Sequence, residues 1–203
     1  MDTLLATFIF FFAVIDPIGT VPVFIASTKG FSDKEKRATA FKAVLVSGLV
    51  LLFFIVVGEL LLEAINVPLP AFQIAGGIVV FLFALTMIFG ESKPESEMKT
   101  VTNTTETAVF PIAMPSIASP GAMLVVVLFT KNSENSLWEQ FQSSLVLIAV
   151  LVIVLVLLLL SNKVHKLIGD AGASIISRVM GLILSSIAVS NVIDGINQAF
   201  HLV

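Results

Sequence analysis

Six long apolar stretches follow one another along the chain, separated by short polar links. A helix needs about 20 consecutive apolar residues to cross a bilayer. The pattern therefore predicts six membrane-spanning helices, numbered spans 1 to 6, at residues 3–27, 41–63, 70–90, 108–130, 143–161 and 175–198. Because the links are short, the sequence predicts a single polytopic membrane domain covering residues 1–203.

The composition supports a membrane protein. Hydrophobic residues make up 57% of the chain and charged residues only 12%, whereas soluble domains are about 45–50% apolar and about 25% charged. There is no cysteine, which excludes disulfides, thiolate metal sites and thiol redox chemistry. The N-terminus, MDTLLATFIF, lacks a basic leader and a small-residue cleavage site, so span 1 is predicted to be retained.

The basic residues are unevenly distributed among the links. Ten of the eleven Lys and Arg residues lie in or beside three alternate links: Lys29, Lys34, Lys36, Arg37, Lys42, Lys93, Lys99, Lys163, Lys166 and Arg178. The remaining one, Lys131, lies on the opposite side. Lys and Arg are enriched in cytoplasmic loops. The three basic links are therefore predicted to be cytoplasmic and both termini to be periplasmic.

Two of the spans contain residues that interrupt a helix. Span 1 includes AVIDPIGTVP at 13–22, and span 4 includes AMPSIASPGAM at 113–123. Proline lacks an N–H and disrupts an incoming helix, while Asp and Ser are preferred N-caps and proline is favoured at the first helical position. Asp16-Pro17 and Ser119-Pro120 are therefore each predicted to end one half-helix and start another. Gly19 and Gly121 would allow close approach to the backbone beside each interruption.

The two halves of the chain share this pattern. Asp16-Pro17 aligns with Ser119-Pro120, and Gly76 in span 3 aligns with Gly181 in span 6. Because each half has three spans, an odd number, the second half enters the membrane upside down, as in many secondary transporters. The predicted fold is an all-α transmembrane six-helix bundle of two inverted three-helix repeats. The repeats cover about 1–90 and 108–203, with a polar linker at about 91–107.

This arrangement predicts a polar site near the bilayer centre. Two half-helix N-termini would face each other there with unpaired N–H groups and partial positive charge. Broken backbone at that depth is tolerated where it is buried in protein or lines a wet cavity. The predicted substrate-binding residues flank the two interruptions or are small or polar residues of spans 3 and 6. They are Asp16, Pro17, Gly19, Thr20, Gly76, Gly77, Ser119, Pro120, Gly121, Gly181 and Asn191.

Asp16 is the strongest candidate, because a carboxylate near the bilayer centre costs about 2.5–3.5 kcal/mol and usually marks an ion or substrate path. The structural alternative is that Asp16 only caps its half-helix. Asp194 is a second predicted ion-coupling residue, although it could simply reach interfacial water. Helix packing is the alternative for Gly76, Gly77 and Gly181, and an ordinary membrane kink is the alternative for each proline.

Four ordered motifs resemble the MarC family of bacterial inner-membrane proteins: DPIGTVPVF, FQIAGGIVVFLFAL, AVFPIAMPSIASPGA and RVMGLILSSIAVSNVIDGI. The resemblance covers essentially the whole chain. Thr20 stands where the family usually has Asn, and Ser119 where it often has Gly. The resemblance implies six spans, a multi-pass protein of the bacterial inner membrane, and relatedness to neutral amino acid transporters of the amino-acid exporter superfamily.

The leading functional hypothesis is a secondary transporter of a small solute, with a neutral amino acid as the best fit. The carboxylate of a zwitterion would accept N–H groups from a half-helix terminus, and Asp16 would pair with its ammonium or take a coupling H⁺ or Na⁺. No GxxxxGK[ST] motif is present, so the chain carries no such ATP-binding loop.

Two alternatives remain, a passive small-solute channel and a non-transporting inner-membrane protein that acts on a partner. An enzyme is disfavoured because Ser119 has no histidine in any span to act as its base. Metal ligands are lacking for the same reason. The sequence predicts no cofactor, no metal and no nucleic-acid partner.

Overall fold

Helices form almost all of the chain that the computed structural model describes, which is residues 2–64, 66–89, 103–130 and 136–200. No strand occurs in these ranges. The α-helices are α1 (Asp2–Ile15), α2 (Pro17–Ser27), α3 (Asp33–Ala64), α4 (Leu69–Phe89), α5 (Thr104–Thr107), α6 (Pro120–Phe129), α7 (Leu137–Leu159) and α8 (Ser161–Phe200). An irregular helical segment, Ala108–Ile117, lies between α5 and α6.

The described helices include five that are long and apolar enough to cross a membrane, or six if one bent pair is counted as a span. The five are Leu4–Ser27, Asp33–Leu62, Pro70–Phe89, Leu137–Leu159 and Ala171–Phe200. The bent pair, Thr104–Ile117 with Pro120–Phe129, turns by 58° at the predicted span 4. The predicted all-α transmembrane class is confirmed at this level.

Span 1 lies in the interior of the bundle. Of its most apolar stretch, 56% is buried in the protein, compared with 22% for the α3 span and 33% for the α7 span. Phe11, Val14 and Ile15 are almost fully buried just before Asp16. The polar interruption of span 1 is therefore enclosed by protein, away from the lipid-facing surface.

Span 4 is irregular over a longer stretch than the sequence predicts. The sequence predicts one interruption at Ser119-Pro120, but Phe110 (φ −135°, ψ 126°) and Met114 (φ −128°, ψ 128°) are already extended. Each precedes a proline, Pro111 or Pro115, and the proline ring pushes the preceding residue out of the helical region. The first half of span 4 is therefore not a regular α-helix.

The link between spans 5 and 6 is helical rather than an open loop. α8 begins at Ser161, directly after α7, and its helical geometry is broken at Gly169 (φ 66°, ψ 175°). Glycine adopts this positive φ without the steric cost that other residues meet. The residues from Ser161 to Ile168 therefore form a short helix that precedes the spanning part of α8.

Glycines allow α4 and α8 to pack closely in antiparallel directions. A Cβ on Gly77 would lie 2.8 Å from the Ala188 carbonyl oxygen, and one on Gly181 would lie 2.9 Å from the Ala84 carbonyl oxygen. Further along, Gly195 packs beside the start of α4. Small residues that bring backbones together are typical of membrane helix interfaces.

The described parts of the basic links lie at one end of the bundle. Lys42 Nζ donates to Thr105 Oγ1 at 2.6 Å, which brings the start of α3 next to α5. The α2–α3 and α7–α8 links also line a common cavity. Lys93, Lys99 and Lys131 lie outside the described residues.

Candidate functional site

Asp16 separates α1 from α2 in the middle of span 1. Its backbone is left-handed (φ 47°, ψ 68°), a conformation that Asp and Asn tolerate better than most residues. Its N–H donates to the Phe12 carbonyl oxygen at 3.0 Å, and its own carbonyl accepts the Thr20 N–H at 3.0 Å. Pro17 follows as the first residue of α2. The span thus keeps backbone hydrogen bonds on both sides of a single non-helical residue.

Both carboxylate oxygens of Asp16 accept hydrogen bonds from neutral donors. Oδ1 accepts from the Gly19 N–H at 2.9 Å, which caps α2. Oδ2 accepts from the Ser177 hydroxyl of α8 at 3.1 Å. Asp16 is only 2% exposed and Ser177 only 4% exposed. A carboxylate is therefore held at the junction of span 1 and α8 by groups that carry no charge.

A second pair of hydroxyls extends this polar cluster to span 4. The Thr20 hydroxyl donates to the Asp16 carbonyl oxygen at 3.0 Å, and the Ser116 hydroxyl donates to Thr20 Oγ1 at 3.3 Å. Thr20 and Ser116 are both buried. The interrupted regions of spans 1 and 4, which lie about a hundred residues apart in the sequence, therefore meet in space.

The start of α6 repeats the capping chemistry of α2. Ser119 is the N-cap, its Oγ accepts the Ala122 N–H at 3.1 Å, and Pro120 is the first helical residue. The sequence predicts unpaired N–H groups at the two half-helix termini. In the structure, Gly19 and Ala122 each donate to the cap side chain of their own helix. Each N-cap side chain therefore accepts a hydrogen bond from one of the backbone N–H groups that the sequence predicts to be free for a substrate.

The two glycines beside the interruptions have different surroundings. A Cβ on Gly19 would overlap Asp16 Oδ2 and would lie 2.8 Å from Ser177 Oγ. A Cβ on Gly121 would make ordinary contacts, 3.5 Å from Val14 Cγ2 and 3.6 Å from Val80 Cγ2. Only Gly19 is therefore sterically required by the polar cluster.

The other predicted site residues lie outside this cluster. Gly76 faces Leu124 of α6, while Gly77 and Gly181 form the α4–α8 contacts described above. On α8, Asn191 is half-buried and Asp194 is exposed. At 1.5 Å per residue, Asn191 lies roughly 21 Å along the helix from Ser177. The structure does not bring these residues to Asp16, and their roles in binding or ion coupling stay predictions.

Ser116 and Ser177 belong to the cluster, but the sequence does not identify them. Ser116 lies in the quoted span 4 motif, where the neighbouring Ser119-Pro120 pair is the stronger signal. Ser177 lies 161 residues from Asp16, so no local pattern connects the two. In the ranges that the structure describes, no group of three or more His, Asp or Glu residues gathers into a metal-ligand set.

The cluster is closed in this structure. Asp16, Thr20, Ser116 and Ser119 are each at most 2% exposed. The sequence predicts a hydrated cavity at this position, whereas the side chains here are packed together. A solute could reach Asp16 only after the helices around it move apart.

The fold and the buried polar cluster define a polytopic α-helical membrane protein with two interrupted, contacting spans. The chain belongs to the MarC family of integral membrane proteins, whose family model matches residues 1–200. The resemblance of the four motifs is thereby confirmed.

Relatives over nearly the full length support the same assignment. A UPF0056 membrane protein of Methanocaldococcus jannaschii is 33% identical over 93% of each chain. One of Pyrococcus horikoshii is 34% identical over 93% of this chain and 92% of its own. One of Aquifex aeolicus is 31% identical over 94% of this chain and 91% of its own. No solved structure matches the chain.

Proposed function

We propose that this protein is a secondary transporter of a small neutral solute, with a neutral amino acid as substrate. The observation that carries the proposal is Asp16, a buried carboxylate in the middle of a span, bound only to neutral donors among its described hydrogen bonds. Such a group usually marks an ion or substrate path in a membrane. The ammonium of a zwitterion, H⁺ or Na⁺ would neutralise it.

The closed cluster corresponds in this proposal to an occluded state of a transporter. Alternating access requires helices to move around a fixed site. The hydroxyls of Thr20, Ser116 and Ser177 would exchange their present partners for the polar groups of a substrate. Hydrogen-bond donors and acceptors at this depth suit a zwitterion better than an apolar solute.

We also propose the inverted-repeat arrangement within one membrane domain. Two observations support it, the antiparallel packing of α4 and α8 and the shared cap-plus-proline start of α2 and α6. The basic end of the bundle would face the cytoplasm and both termini the periplasm of a bacterial inner membrane, in accordance with the positive-inside rule.

Transport is tested by uptake of radiolabelled alanine and glycine into proteoliposomes under H⁺, Na⁺ or no ion gradient, with protein-free liposomes as the control. A secondary transporter accumulates the solute above its own gradient when the coupling ion gradient is imposed. Flux that never exceeds the solute gradient under any condition would instead indicate a passive channel. Absence of flux for every small amino acid would contradict the proposal.

Ser177→Ala is expected to lower transport about 3- to 20-fold, because it removes a hydroxyl that donates to Asp16 Oδ2 in the closed structure and would bind the substrate in the proposed open state. Hydrogen bonds between membrane helices contribute about 0.6 kcal/mol on average and up to about 1.7 kcal/mol. The matched control is Ser186→Ala on the same helix, whose hydroxyl donates to Leu182 of α8 itself. Equal uptake and equal ion dependence of the two variants would exclude a role for Ser177 in the site.

A further inference from the structure

A cavity of about 270 Å³ lies at the basic end of the bundle, apart from the Asp16 cluster. It opens between the end of α2, the start of α3 and the α7–α8 junction. Its volume is close to the lower limit of small-molecule pockets, about 300 Å³, and far above the roughly 10–15 Å³ that one water needs. The cavity is therefore large enough for a ligand of several heavy atoms.

Cationic side chains dominate the charge around this cavity. Lys36 and Arg37 line it from α3, and Lys163 lines it from the start of α8, whereas Asp33 is the single carboxylate in the lining. The neighbouring Glu35 accepts hydrogen bonds from the N–H and hydroxyl of Ser32, at 2.8 Å and 2.6 Å. Glu35 is thus directed to the helix cap and does not line the cavity, whose lining has three cations and one carboxylate.

The local backbone fixes where these cations lie. Ser32 and Glu35 form reciprocal cap contacts at the start of α3, which sets the direction in which the first turn presents its side chains. At the other wall, the Lys163 N–H donates to the Leu160 carbonyl at 2.8 Å, so α8 starts without an intervening loop. Charges from two distant parts of the sequence are thereby held around one opening.

Four apolar residues also line the cavity. Phe24 and Leu158 are buried, whereas Leu159 and Leu160 are 38% and 42% exposed. Lys and Arg side chains next to exposed leucines match an amphiphile with an anionic head and hydrocarbon chains. Basic pockets between membrane helices commonly bind the head groups of acidic lipids.

We propose that this cavity binds a phosphate group, supplied by an acidic phospholipid whose chains lie along Leu159 and Leu160. Arg37 would hold two phosphate oxygens with its planar guanidinium, and Lys36 and Lys163 would act as point charges. A bound head group would connect α3 to the α7–α8 junction beside the end of α2. The site does not depend on the proposed transport activity.

The test measures the thermal unfolding temperature of the purified full-length protein in neutral detergent. The additives are phosphatidylglycerol, phosphatidylcholine or inorganic phosphate. Phosphatidylglycerol is expected to raise the unfolding temperature by about 5 °C or more at saturating concentration, and phosphatidylcholine by much less. A shift of equal size with both lipids would overturn the proposal. A shift with inorganic phosphate alone would keep the phosphate site and reject the lipid as its source.

Two triple variants of equal charge test the location. Lys36→Gln, Arg37→Gln and Lys163→Gln together should abolish most of the shift caused by phosphatidylglycerol. Lys29→Gln, Lys34→Gln and Lys166→Gln remove as much charge from the same links but lie outside the lining, and should retain the shift. If both triple variants lost the phosphatidylglycerol shift equally, the lipid would be attracted to the basic end of the bundle as a whole. That result would refute a site in the cavity.

A single variant keeps the test valid if the cavity triple variant does not fold. Lys163 is exposed, so Lys163→Gln should fold and still reduce the shift measurably. Native mass spectrometry of the wild type provides the second measurement, in which one phosphatidylglycerol should remain bound at collision energies that remove the others. An unchanged shift in Lys163→Gln, or the lack of a retained lipid, would count against the proposal.

Discussion

Asp16→Asn is expected to reduce amino acid uptake at least ~30-fold while leaving the fold intact. Asn tolerates the left-handed backbone at this position and its side-chain oxygen can still cap α2. The substitution therefore removes the charge and replaces the Oδ2 acceptor by an Nδ2 donor, from which the Ser177 hydroxyl can accept instead of donating. In the proposed complex, Asp16 pairs with the ammonium of the substrate or with a coupling cation, and loss of one member of such a buried charge pair costs about 2 kcal/mol or more, a factor of about 30. Proteoliposome flux and thermal unfolding measured together separate the two effects.

A second variant, Asp194→Asn, makes the same chemical change at an exposed carboxylate of α8 that the sequence predicts to couple ions. Transport at the wild-type rate would leave Asp16 as the coupling carboxylate, whereas a loss of ion dependence would support Asp194. A third variant, Asp16→Ala, also removes the cap and should lower stability by about 1 kcal/mol. If Asp16→Asn transported at the wild-type rate with unchanged ion dependence, the carboxylate would be only a helix cap.

Gly19→Ala is expected to abolish transport and to lower the unfolding temperature by about 2–12 °C. The added methyl group would overlap Asp16 Oδ2 and crowd Ser177 Oγ, so the cap and the contact with α8 could not both persist. Overpacking of this kind costs about 1–3 kcal/mol, and each kcal/mol shifts the midpoint by about 2–4 °C in a chain of this size. Thermal unfolding and proteoliposome uptake measure both consequences.

Gly121→Ala provides the comparison, because the sequence treats the two glycines as equivalent and the structure does not. Its methyl group would make ordinary contacts with Val14 and Val80. Alanine is also a better helix former than glycine by about 1 kcal/mol. The variant should therefore be as stable as the wild type or more stable. Equal damage from both substitutions would refute the close packing around Asp16.

The sequence predicted those features of the fold that depend on local chemistry. Long apolar stretches predict the spanning helices, because an apolar helix of about 20 residues is long enough to cross the hydrocarbon core of the bilayer. Asp and Ser before proline give the starts of α2 and α6, because capping and the proline ring act within one turn. Asp16 is a candidate from the sequence for the same reason, since a lone carboxylate in an apolar span can be identified without tertiary information, and its role in binding stays a prediction.

The remaining features depend on contacts between distant segments. No local pattern distinguishes Ser177 from other serines near helix ends, because its role depends on the packing of α8 against span 1. The different steric demands at Gly19 and Gly121 likewise come from neighbours on other helices. The extended residues before Pro111 and Pro115 have a local signal, because proline restricts the residue before it. That signal is weaker than the cap-plus-proline pattern at Ser119-Pro120.

The glycine contacts between α4 and α8 bear on how the bundle could open. Gly77 and Gly181 leave no room for a side chain between the two helices, which therefore pack closely against each other. If the protein opens at Asp16 to admit a solute, the contact between α8 and span 1 has to separate, and the hydrogen bond from Ser177 to Asp16 has to break with it.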